Sequence, residues 1–100
     1  MTLAEQLRSK LNAEFETVRE QLDAHVCRYI VKFGSCDVGT THSTDKLIDT
    51  EKSGMNAGRI LLNERLFDAA RAHYTQQGLK FRLDYSPMGT FIRGFSVSLL

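Results

Sequence analysis

The chain has 100 residues, 42% hydrophobic and 25% charged, and thirteen basic side chains nearly balance twelve acidic ones for a net charge of +1. That composition excludes a disordered tail, a collagen-like chain and a disulfide scaffold; it fits one domain over residues 1–100 that buries roughly 60–70% of its unfolded surface. No apolar run approaches the ~20 residues of a membrane span, and Met1-Thr2-Leu3-Ala4-Glu5 lacks the basic region and apolar core of a secretory signal, so a cytoplasmic protein without membrane contact is expected.

Residues 2–25 predict a long amphipathic helix. Thr2 and Glu5 have capping-box spacing. Leu3, Leu7, Leu11, Phe15, Val18 and Leu22 recur at steps of three and four, one narrow stripe of a 3.6-residue helix. Such a helix is ~36 Å long, against a radius of gyration of only ~13 Å for a domain of this size. It therefore spans the domain, with room for one end to overhang.

Residues 27–42 predict a β-hairpin. Cys27, Tyr29, Val31 and Phe33 alternate with Arg28, Ile30 and Lys32, the period of a half-buried strand. Gly34-Ser35 suits a type II′ turn, which pairs Phe33 with Cys36, Val31 with Val38 and Lys32 with Asp37. Residues 43–54 show no period and read as a polar loop. A second, more deeply buried helix is expected from about Met55 to Gln77, capped by Ser53 or Asn56 and closed by Gly78.

A second hairpin is expected from Leu79 to Leu100. Pro87 and Gly89 suit a three-residue loop with a bulge that pairs Ser86 with Thr90. Tyr85 then faces Phe91, Phe81 faces Phe95 and Leu79 faces Val97, on a face apolar except for Arg93. The expected fold is α+β: two amphipathic helices packed on one face of an antiparallel sheet built from two β-hairpins, in the order α-ββ-α-ββ. The aromatic strand residues then point inward, under the helices.

Chemistry-bearing clusters are sparse. His25, Cys27, Cys36 and His42 lack the tight knuckle of a zinc site. The hairpin register holds Cys27 and Cys36 ~20 Å apart, which also excludes a disulfide between them. The plain reading is two small buried thiols in a reducing compartment. The same register sets Cys27 opposite His42, the minimum for nucleophilic catalysis, but with no third group to orient the imidazole. Phosphate-loop and dinucleotide motifs are absent, and the glycines at Gly54 and Gly58 read as loop-to-helix punctuation. No cofactor and no metal are expected, and no enzymatic activity.

The expected function is that of a small non-enzymatic protein-binding protein, an adaptor, inhibitor or accessory subunit that forms homo-oligomers. The candidate contact is the Leu3, Leu7 and Leu11 end of the first helix, because one small sheet has too little area to cover the whole stripe. Arg93, the odd member of an apolar face, is a candidate anchor for a protein partner. The alternative is a nucleic-acid-binding module using a mildly basic outer sheet face of Arg28, Lys32, Lys80 and Arg82.

Overall fold

The computed structural model describes residues 2–41, 46–55 and 57–100. The first helix, α1, spans Leu3–Phe33, 31 residues. Thr2 Oγ1 accepts from the Glu5 N–H at 3.2 Å, the cap that the spacing predicts. The expected hairpin over 27–42 does not form, because α1 continues through its first half. Tyr29-Ile30-Val31 favours a strand by propensity, yet Leu22, Val26, Tyr29 and Ile30 also continue the helical stripe. Propagating an existing helix fixes one residue per hydrogen bond, far cheaper than nucleating a new element. Gly34 does take a positive φ, 86°, but as the left-handed cap of α1, its N–H donating to Ile30 O at 2.8 Å. Val31 (89% exposed) and Phe33 (64%) therefore face outward instead of into a sheet.

Directly after Gly34 the chain returns as β1 (Ser35–Thr41). The segment expected to be a loop contains a short strand, β2 (Ile48–Thr50). The expected helix from Met55 is largely absent. Ile60–Asn63 forms β3, Glu64–Leu66 makes a 3-10 turn, and the second helix, α2, spans only Phe67–Gln76. Ile60-Leu61-Leu62 is the continuous apolar run of a strand with neighbours on both sides. Asn63 ends it, its Oδ1 accepting from the Arg65 N–H at 3.2 Å to start the helical segment. Its backbone N–H also donates to Leu47 O, and its Nδ2 to Lys46 O.

β4 (Leu79–Tyr85) and β5 (Ile92–Leu99) form the expected C-terminal hairpin in a different register. Leu83 pairs with Phe95, Phe81 with Val97 and Leu79 with Leu99. Ser86 N–H donates to Phe91 O, and its hydroxyl accepts the Thr90 N–H at 3.1 Å, so the loop is longer than three residues. The bulge falls on β5, leaving Arg93 between the Tyr85–Ile92 and Asp84–Gly94 pairs. Tyr85 and Phe91 are exposed as a result. The Phe81 and Phe95 rings still stack at 4.7 Å, as diagonal neighbours.

The five-stranded sheet has the order β2-β3-β1-β5-β4. It is mixed: β1 runs parallel to β3, and every other pair is antiparallel. The fold is thus α+β, but the sheet is not two adjoining hairpins. Both helices lie on one face. Phe15, Val18, Leu22 and Val26 of α1, with Phe67, Ala70 and Tyr74 of α2, meet Cys36, Val38, Ile60, Leu62, Phe95 and Val97. The outer face carries Ser35, Asp37, Gly39, Lys80, Arg82, Asp84, Gly94, Ser96 and Ser98. No helix of the described residues is long and apolar enough to cross a membrane.

Gly39 and Gly94 pair across β1 and β5. A Cβ on Gly94 would collide with the Val38 carbonyl oxygen, which is rigid backbone; one on Gly39 would meet the end of the Leu61 side chain, which can swing away. Gly94→Ala is therefore expected to cost about 1–3 kcal/mol in urea unfolding. Gly39→Ala should stay below about 1 kcal/mol, because the lower entropy of the unfolded chain offsets the crowding.

Candidate functional site

The N-terminal half of α1 has little to pack against. At 1.5 Å per residue α1 is ~46 Å long, and the whole molecule measures 44 × 28 × 28 Å. Its first buried residue is Phe15. Before it, Leu3 is 70% and Leu7 53% exposed, and Leu11 is half-buried against the core. The stripe that buries Phe15, Val18 and Leu22 thus continues outward along an arm of the helix. At the base of the arm, Arg65 just before α2 donates to Glu14 Oε2 at 3.1 Å. Between arm and α2 lies a groove of about 400 Å³ lined by Leu11, Asn12, Ala69 and Ala72 and by the charged side chains of Arg8, Arg65, Asp68 and Arg71.

Farther along α1, Asp23 accepts from Arg19 Nη1 at 3.2 Å and from His73 Nε2 at 3.0 Å. The Phe15 ring packs on His73 at 5.6 Å. Beside it, burial first and the Asp23 charge second push the Tyr74 hydroxyl far above its usual range. This group joins residues fifty positions apart and has no signature in the sequence. It ties α1 to α2. The arrangement supplies orientation and adhesion between the two helices.

At the other end of α1, His25 stacks on Tyr29 with centroids 4.4 Å apart, and Tyr29 meets Phe33 at 5.5 Å. These rings line a cleft of about 450 Å³ closed by Asp37 and Arg59. Burial, and then the nearby Arg28 charge, lower the His25 pKa.

The remaining sequence candidates are dispersed. Arg93 lines a depression of about 200 Å³ with Gly39, Glu51 and Arg59, none of them on the arm. Arg28 and Lys32 lie on α1, while Lys80 and Arg82 point from the outer sheet face, so the four do not form one basic sheet face. Cys27 is on a helix, and the ladder that separated it from Cys36 does not exist. Both thiols are free; Cys36 is buried and Cys27, against expectation, is exposed. Burial, reinforced by Asp37, pushes the Cys36 thiol up to about 12. His42, the proposed companion of Cys27, lies outside the described residues, as does Asn56, one of the two expected helix caps. Among the described residues no three His, Cys, Asp or Glu side chains converge as a metal site. No protein-family model, curated protein or solved structure matches the chain.

Two outcomes follow from these environments. Iodoacetamide at pH 8 should add one label per folded chain, at Cys27, and two in urea, read by intact mass. His25 is harder to protonate folded than unfolded, so its contribution to stability is intact above the ordinary imidazole value of 6.5 and is lost as pH falls below it. Between pH 7.5 and 5.5, urea midpoints should therefore drop further for the native chain than for His25→Gln.

Proposed function

We propose that this chain is a non-enzymatic, self-associating protein-binding protein, an adaptor, inhibitor or accessory subunit that engages its partner through the N-terminal arm of α1. The observation that supports this reading is the exposure of Leu3 and Leu7 on a stripe that is otherwise core. Leucines at a spacing of four residues on one helix present the i, i+4 anchors of helix-in-groove recognition. Arg8 and Lys10 flank the stripe. The partner surface that complements it is an apolar helix or groove, and the groove lined by Leu11, Ala69 and Ala72 extends the contact onto α2.

The nucleic-acid alternative draws no support from a shared surface, since its four cations lie on opposite sides of the sheet. Arg93 sits away from the arm and takes no part in this contact.

The test is tagged chain at native abundance in its own cell, wild type against Leu3→Glu/Leu7→Glu. Both leucines are exposed, so the double variant should unfold within about 0.5 kcal/mol of wild type. Burying each leucine in a complex contributes roughly 2 kcal/mol. A second polypeptide at fixed stoichiometry with wild type, lost with the variant, is expected. Equal recovery of the second polypeptide with both forms, or no second polypeptide with wild type, would sink the reading.

A further inference from the structure

The two sheet edges are unlike. β2 is three residues long, whereas β4 presents seven with no proline and with its bulge on the inner, β5 side. Exposed strand edges are templates for further pairing unless something blunts them. The Ser86 N–H donates toward β5, so Lys80, Arg82 and Asp84 also direct their backbone groups inward. The alternate residues, Leu79, Phe81, Leu83 and Tyr85, direct theirs to the open edge.

We infer that β4 pairs antiparallel with β4 of a second copy across a two-fold axis at Leu83, joining two sheets of five strands into one. The side chains select this register. Centred on Leu83, Arg82 faces Asp84 of the second copy, twice by symmetry, and Lys80 faces Ser86. One residue earlier, Arg82 would face Arg82; one later, Asp84 would face Asp84; two earlier, Lys80 would face Arg82. Two later, Leu83 would face Pro87, beyond the end of the strand. The Leu83 register alone pairs most of the strand without setting like charges opposite each other, where they repel.

The other side of the strand agrees. In this register Phe81 faces Tyr85 of the second copy. Tyr85 is 56% exposed in the single chain. Beside Phe81 and Leu83 runs a groove of about 180 Å³ with Phe67 in its wall and Glu64, Asp68 and Arg71 among its lining. The incoming Tyr85 ring lies along that groove, with polar side chains at hand for its hydroxyl, and Leu83 meets Leu83 at the axis. Leu83, Phe81 and Tyr85 exchange main-chain hydrogen bonds across the joint. The joint locates the self-association proposed above, and it does not depend on the arm.

Light scattering of the full chain tests it. At roughly 100 µM, within the range of ordinary specific association, wild type should show twice its 11.3 kDa mass. Arg82→Asp sets a new carboxylate opposite that of Asp84 and should weaken the dimer by about tenfold or more, as should Tyr85→Ala. The exchange Arg82→Asp/Asp84→Arg restores both opposite pairs and should restore the dimer. Because it also restores the Arg82 Nε–Asp84 Oδ1 pair of 3.6 Å within each strand, an equal mixture of Arg82→Asp and Asp84→Arg chains, which regains only the pairs across the joint, should dimerise as well and separates the interface from any effect inside one chain. Leu3→Glu/Leu7→Glu should leave the mass at two chains. A monomeric wild type, a dimer indifferent to Arg82→Asp and Tyr85→Ala, an exchange that fails to rescue, or a dimer abolished by the arm variant would each overturn the edge pairing. The arm reading is judged separately, by its second polypeptide.

Discussion

The architecture depends on a reversal at one residue. Gly34, at φ 86°, ends a 31-residue helix and sends the chain back beneath it as β1. A side chain there would meet no neighbour but would be strained by the left-handed backbone. Because the reversal is immediate, β1 is laid under the second half of α1 and becomes the middle strand, with β3 on one side and β5 on the other. Leu22 and Val26 then share one core with Cys36 and Val38. Placing the strand centrally satisfies its backbone on both sides; placing it under the helix buries one of its faces.

The sheet's two faces follow from that placement. Its inner face is filled by aliphatic and aromatic side chains from both helices. Its outer face carries Ser, Asp and Gly on β1 and β5, Leu61 beside Gly39, and Lys80, Arg82 and Asp84 on the β4 edge. Gly94 shows how tight this is: β5 passes so close to Val38 that there is no room for a methyl group. On the helix side, Asp23 gathers Arg19 and His73, and Glu14 takes Arg65, so α1 is fastened at two levels to the segment that carries α2. Partly exposed ion pairs of this kind add modest energy; their geometry fixes how the two helices lie against each other.

Much of this was readable in the residues, and the failures have physical causes. The helix stripe from Leu3 to Leu22, its Thr2 cap, the C-terminal hairpin and its Gly89 turn are local features that short-range periodicity encodes. Gly34 was legible as a positive-φ position but not as a helix end, because a type II′ turn and a left-handed cap ask for the same residue. Ile60-Leu61-Leu62 fits a buried helix and a central strand equally well by hydrophobicity. The cap at Asn63 was the available signal for a break. The parallel pairing of β1 with β3, and the meeting of Asp23 with His73, are long-range events with no trace in local pattern. The protruding Leu3-Leu7 arm was legible because it rests only on helix length against domain size.

That arm has a cost in order. Its dozen residues form a helix too short to persist alone in water, since nucleation is unfavourable and tertiary support begins near Leu11 and Phe15. Its winding is borrowed from the anchored half of the rod, turn by turn. Whatever settles on Leu3 and Leu7 therefore also holds that winding in place, so small changes in helix propensity along the arm tune how long the encounter lasts.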